Sequence, residues 1–344
     1  MIQLCLGSRR QCSSGGQKIR QRTDVLPRGG LTIASVARVC GGLERLNASS
    51  IEGDTRIAIQ MQERIYVSPY PLALQVLGQG TPTVVLETGS CWSGLQAWRK
   101  VMPEVSRFTR VMAYDRADLG GSDKAPTPRT WSDMVRDLRT LLEAAYIQGP
   151  FVLVGASIGG ILIRLFTRHY ARDIAGLVLV DGTHPRNSFD YLGHLLLPRA
   201  DDSQQLKDFR RWFTIQTGGE PGIHVEDVEC VDWQASLPAA LALGTLGTRP
   251  LVVLTAGIPA VAPNTPGLPP GLGEQMHATW LLSQRDLATL STKSTHILVD
   301  DSQHMIAHDR PDVVIWPLDG HLDAIRQVAI DVRQQHALTS RAES

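Results

Sequence analysis

A chain of 344 residues, 43% hydrophobic and 20% charged, can bury one large core or two, and it has the composition of a soluble globular protein. Its formal charge is zero, but residues 1–50 hold eight Lys/Arg against two Asp/Glu, so that stretch carries +6 and the remainder −6. An acidic body gives no electrostatic reason to expect nucleic acid as a partner, and no run of about 18 apolar residues exists to span a membrane. The five cysteines are odd in number and form no Cys-x-x-Cys pair. That argues against a structural zinc site or a disulfide framework and makes a reducing cytoplasm the default compartment.

Residues 1–50 show no hydrophobic period and read as a disordered extension or a transit peptide; the folded part is expected in 51–344. Strands are expected at 64–68 and 72–77, folded into a hairpin around Pro69-Tyr70-Pro71, and a third at 83–87. The third runs into a loop of small residues, 88–94, followed by a helix over 97–108. The next strand is 110–115, with a loop from 116 to 128. The apolar spacing of Met134, Leu138, Leu141, Leu142 and Ala145 predicts an amphipathic helix over 131–146. Thr130 is its N-cap, with Asp133 three residues on.

The densest signal follows. Phe151-Val152-Leu153-Val154 is a short buried-strand run that ends in Gly155-Ala156-Ser157-Ile158-Gly159, and Ile158, Leu162, Leu165 and Phe166 then share one helical face. A Gly-x-Ser-x-Gly on a strand-to-helix turn lifts the serine hydroxyl to the helix N-terminus, beside its partial positive charge. Gly155 and Gly159 supply the small neighbours that such a turn needs. Another apolar strand, 176–181, comes next.

Between 184 and 249 no strand is visible, and 187–197, 204–217 and 228–243 look helical. About 65 residues, against the 10–12 that a crossover needs, predict a helical cap at about 185–249 over the C-terminal ends of the strands. Leu195, Leu196, Trp212, Phe213 and Leu241 are its candidate pocket walls. The sheet resumes at 250–256, a helix is expected over 274–290 and a last strand over 295–300. The final helix starts near Arg310-Pro311, is broken by Trp316-Pro317 and Gly320, and resumes at 322–335. Strands alternating with helices indicate a mostly parallel sheet covered on both faces.

The ordered segments Val84-Val85-Leu86-Glu87-Thr88-Gly89, Tyr114-Asp115-Arg116-Ala117-Asp118-Leu119-Gly120-Gly121-Ser122, Val154-Gly155-Ala156-Ser157-Ile158-Gly159-Gly160, Leu177-Val178-Leu179-Val180-Asp181 and Ser302-Gln303-His304 resemble the α/β-hydrolase superfamily. The similarity lies with its branch of serine carboxylesterases, proline-iminopeptidase-like and haloperoxidase-like proteins. It implies an α/β fold, a mostly parallel eight-stranded α/β-hydrolase sheet with helices on both faces and a helical cap. It also implies that Ser157 is a nucleophile, and a serine there argues against the dehalogenase and epoxide-hydrolase members, which use Asp.

A serine hydroxyl needs a base in reach and an acid to orient that base. Ten histidines leave composition silent, but His304 lies just past the last strand, where the resemblance puts the base. His296 then packs or is solvated, and His308 is a surface residue. The family usually draws its acid from the loop after the strand 250–256, and residues 257–273 contain no Asp or Glu. Two substitutes keep the Ser…acid…His order. Asp181 ends the strand after the elbow, and Glu274 opens the next helix, where complementing the helix dipole is its other role. Asp181 is preferred because a strand end puts it at the sheet's C-terminal edge. The expected oxyanion donors are the backbone N–H of Ile158 and, in the loop after the third strand, of Ser90. The family often has His-Gly where this chain has Thr88-Gly89, and Gly where Asp118 stands. Asp115, Arg116 and Ser122 are read as loop-structuring.

The expectation is a serine hydrolase that cleaves a small-to-medium apolar carboxylic ester through an acyl-enzyme, with no cofactor and no metal. A small-molecule ester is the partner; nucleic acid and a membrane span are not expected, and oligomeric state is left open. Two alternatives remain: a weakly or non-catalytic ligand sensor on the same fold, and an acyltransferase using the same triad.

Overall fold

The apolar runs at 84–86, 111–114, 151–154, 177–180 and 251–254 carry no polar face, so each strand must be covered on both sides. The computed structural model, which describes residues 63–90, 92–186, 201–209, 229, 231–261 and 268–315, meets that requirement with an eight-stranded sheet. Its strands are β1 Glu63–Tyr66, β2 Pro71–Leu77, β3 Thr83–Glu87, β4 Val111–Tyr114, β5 Phe151–Ala156, β6 Ile174–Val180, β7 Leu251–Ala256 and β8 Ser294–Val299. They lie in the order β1-β2-β4-β3-β5-β6-β7-β8. The pairs β1/β2 and β2/β4 are antiparallel and the other five are parallel.

Period-two alternation splits the core into two layers. Val85, Met112, Leu153, Leu177, Leu179 and Val253 face one side, where they meet α3 (Trp131–Ala144) and α4 (Gly159–His169). Val84, Leu86, Val111, Val152, Val154, Val178 and Leu254 face the other, against Trp98, Val101, Met102, Val105, Ile306 and Val314. Each fully buried aliphatic side chain stabilises the fold by about 1.5–3 kcal/mol, so neither layer is dispensable. Thr130 caps α3 as its sequence suggests. Its hydroxyl accepts from the Asp133 amide at 3.2 Å, and the Asp133 carboxylate accepts from the Thr130 amide at 2.8 Å.

The helix expected over 97–108 is two short ones instead, α1 Gly94–Ala97 and α2 Met102–Val105. Pro103 explains the division. It has no N–H to continue a helix begun earlier, and it sits in the first turn of α2, where none is needed. Residues 204–209 are helical, and α5 is Trp233–Leu241. That helix is shorter than the expected 228–243, and residues 187–197, 210–217, 228 and 230 of the expected cap helices, with Leu195, Leu196, Trp212 and Phe213, lie outside the described residues, as do residues 1–50 and everything after 315. The remaining helices are α6 Leu272–Ala288, α7 Ile306–Asp309 and α8 Pro311–Ile315. Among the described residues no helix is long and apolar enough to cross a membrane.

Register decides where chemistry can assemble. Ala156 pairs with Val180, Val180 with Leu254, and Ala256 with Val299. The strands β5 to β8 therefore end side by side, and the turns that follow them form one edge.

Candidate active site

Ser157 is the first residue after β5, and its φ of 53° lies in the left-handed region. A non-glycine residue there is strained by roughly 1–2 kcal/mol, and such strain persists only where the surroundings over-determine it. Here they do. The Ser157 amide donates to Val180 O at 3.2 Å, and its carbonyl accepts from Gly160 N at 3.0 Å and Thr183 N at 2.8 Å. The flanking glycines relieve crowding rather than strain. A Cβ on Gly155 would lie 2.5 Å from Gly159 O, and one on Gly159 2.7 Å from Thr88 O. The turn is thus pressed against the exit of β3, and α4 begins two residues past the serine, its positive end toward the hydroxyl.

Asp181 leaves β6 at the same level, also with positive φ, 47°. It is 2% exposed, and as a carboxylate it can only accept hydrogen bonds. Its Oδ1 accepts from Ala256 N at 3.0 Å and from Trp280 Nε1 at 2.8 Å. Its Oδ2 meets His304 Nδ1 at 2.5 Å. The acceptor-only partner assigns the Nδ1 proton to the imidazole and leaves Nε2 with its lone pair. The His304 ring stands edge-on to Trp280, with centroids 5.8 Å apart at 80°.

The structure therefore brings Asp181 to His304 and leaves Glu274 apart. Glu274 is exposed on the first turn of α6, where its charge complements the helix dipole. His296 lies on β8, with Nε2 2.8 Å from Thr255 Oγ1. Burial, then Arg285, holds its pKa below the usual histidine value. His308 is exposed beside Asp309.

Trp280 was not expected from the sequence. Ser283, Gln284 and Leu287 are buried on α6, so residue 280 begins the i, i+3, i+4, i+7 face turned to the sheet. An indole on such a face needs an acceptor for its N–H, which is the signal that marks it. Gln284 adds a second clamp, donating from Nε2 to Gly182 O at 2.7 Å. Trp280→Phe keeps the ring and removes one donor to a charged acceptor, an interaction of about 1.5–3 kcal/mol. Stability should fall by about the same amount. Thermal unfolding checks it; an unchanged midpoint would show that Ala256 holds the carboxylate unaided.

Beside Ser157 runs the Thr88-Gly89-Ser90 turn. A Cβ on Gly89 would come within 3.0 Å of Ser157 Cβ and 3.6 Å of its Oγ. Among the described residues, the Ile158 and Ser90 amides donate no hydrogen bond. The loop after β4 is built as its sequence suggests. Asp115 accepts from Ser93 Oγ at 2.6 Å, Leu95 N at 3.1 Å and Gly121 N at 2.8 Å, while Ser122 Oγ donates to Asp115 O at 2.5 Å. Asp118 adopts φ 70°, a conformation Asp tolerates better than most residues, so a glycine is not required there. Gly120, by contrast, is compelled: a Cβ would lie 2.0 Å from Asp115 Oδ2.

Residues 78–321 match the model of the family described as "Alpha/beta hydrolase family". "Uncharacterized protein YqjL" of Bacillus subtilis (strain 168) is 26% identical over 239 residues, which is 69% of this chain and 82% of that protein. "Probable transporter efuK" of Hormonema carpetanum is 38% identical over 115 residues, 31% of this chain but only 16% of that protein. Among solved structures, a "putative lipase (lip1)" from Acinetobacter baumannii AYE superposes with a TM-score of 0.55 at 15% identity, over 80% of this chain and 93% of that one. That likeness speaks to fold alone.

Proposed function

Because the chain belongs to the alpha/beta hydrolase family, we propose that it is a serine hydrolase, acting by acyl transfer from Ser157 on a small-to-medium apolar carboxylic ester. The observation that carries this reading is the buried Asp181 carboxylate 2.5 Å from His304 Nδ1, on the strand edge where Ser157 stands in its strained turn. Ser157 Oγ attacks the ester carbonyl carbon while His304 Nε2 takes its proton. The negative charge that develops on the carbonyl oxygen is met by the Ile158 and Ser90 amides. The imidazolium, oriented by Asp181, returns the proton to the departing alkoxide. Water, activated by the same base, then releases the acid from the acyl-enzyme.

The absence of an acid after β7, the Asp118 departure and the broken last helix are the grounds for the ligand-sensor alternative. Asp181, with three donors converging on it, supplies that group from β6 and supports the catalytic reading instead. The segment between β6 and β7 is read as a cap, and the complete burial of Glu229 within the fold supports that. A fluorophosphonate should label wild-type protein at Ser157, located by peptide mass, and chromogenic esters graded by acyl length should show turnover with an optimum. Labelling without turnover of any ester, but with turnover when an alcohol acceptor is supplied, would favour the acyltransferase. Absence of labelling would remove the enzyme reading.

A further inference from the structure

Arg116 lies two residues past β4 and is 2% exposed, a costly place for a guanidinium unless every donor is used. Its Nε and Nη2 grip Glu229 Oε1 and Oε2 at 2.6 and 2.9 Å. Its Nη1 donates to Glu87 Oε1 at 2.5 Å and Thr88 O at 2.8 Å, and its Nη2 also donates to Gly89 O at 2.8 Å. The Tyr114 hydroxyl donates to the other Glu87 oxygen, and Thr88 N donates to Glu87 Oε1 at 3.0 Å. Burial acts to loosen the guanidinium proton, but Glu229 and Glu87 outweigh it and the pKa rises well above the ordinary arginine value.

Two consequences follow for Ser90. A peptide is planar and trans, so its C=O and N–H point in opposite directions. Holding Gly89 O against Arg116 therefore fixes the aim of the Ser90 N–H, in a turn so near Ser157 that a Cβ on Gly89 would lie 3.0 Å from the serine Cβ. A full positive charge on the carbonyl side also polarises the amide and strengthens its N–H as a donor.

We propose that Arg116 is a positioning residue for the oxyanion site, aiming and polarising the Gly89–Ser90 peptide, and that Glu229 from the segment between β6 and β7 is the clamp that holds it. This rests on the reading in which the Ser90 amide receives the oxyanion. It makes assembly of that donor depend on Glu229 being in place.

The test compares Arg116→Lys and Glu229→Gln with the wild type. Lysine keeps the charge but cannot span two carbonyls and two carboxylates at once; the glutamine keeps the shape and loses the charge. Each is assayed for kcat and KM on one chromogenic ester, for binding of a trifluoromethyl ketone that forms the tetrahedral adduct, and for thermal unfolding. Losing one oxyanion donor costs about 10²–10³ in kcat, so Arg116→Lys should lower kcat about 10²-fold and Glu229→Gln about tenfold. KM should stay within about twofold, and adduct affinity should fall in proportion to kcat. A purely structural role would lower the melting temperature and leave the ratio of adduct to substrate affinity unchanged, which overturns the proposal. If Arg116→Lys does not fold, Glu229→Gln decides, and full kcat with full adduct affinity overturns it. Wild-type protein without ester turnover or fluorophosphonate labelling would instead bring down the hydrolase reading, and this inference with it.

Discussion

Ser157→Ala is expected to lower kcat for ester hydrolysis by about 10⁶-fold while KM stays nearly constant, on the scale of triad serines elsewhere. The change deletes the attacking oxygen and little else. Alanine at φ 53° carries the same backbone strain as serine, and the amide and carbonyl that lock the turn to Val180, Gly160 and Thr183 belong to the main chain. Thermal unfolding should therefore move by no more than about 0.5 kcal/mol, the scale of a change that disturbs no buried partner. That separation of rate from stability is what the experiment reads. Turnover above roughly one-hundredth of wild type would mean that another group attacks the carbonyl, since triad serines contribute so much more. The residual rate has a source as well: the Ile158 and Ser90 amides would still stabilise charge on a carbonyl attacked by water.

Asp181→Asn is the second large effect, at about 10⁴-fold in kcat. Its direction follows from the three contacts to the carboxylate. Ala256 N and Trp280 Nε1 both donate to Oδ1, so the amide oxygen of the new side chain must take that position. Its NH₂ is then forced toward His304 Nδ1. A donor facing Nδ1 makes that nitrogen the acceptor and moves the ring proton to Nε2, where it blocks removal of the Ser157 proton. Shape is preserved and tautomer is reversed. Glu274→Gln, at an exposed first-turn position 93 residues further along the chain, should leave kcat unchanged. Equal activity of both variants with wild type would sink Asp181 as the orienting acid.

Much of this architecture could be read from local pattern. The apolar runs, the Gly-x-Ser-x-Gly turn and the Thr130 capping box are all decided within a few residues of themselves, and the eight strands follow from them. The break in the expected helix over 97–108 was also local, since Pro103 cannot continue a helix; apolar spacing alone had hidden it. What the sequence left open was long-range. Asp181 and Glu274 satisfy the Ser…acid…His order equally well; the strand end favours Asp181, and the register that ends β6 beside β7 and β8 brings it to His304. Trp280 reaches Asp181 from 99 residues away, and Arg116 reaches Glu229 across 113. Each of those contacts depends on how α6 or the turn at Glu229 meets the strand ends, which no window of neighbouring residues encodes.

One consequence of the carboxylate's place on β6 concerns the stretch after β7. Ala256 still anchors Asp181, and Gly257 is hemmed in, its would-be Cβ 2.5 Å from Asp300 Cα. From residue 259 onward, that stretch has no assigned duty in moving protons. Its described ends, Val261 and Leu268, pack against Leu206, Phe209 and Leu272 instead, so a change of side chain there is expected to act on packing and to be read as a shift in thermal unfolding.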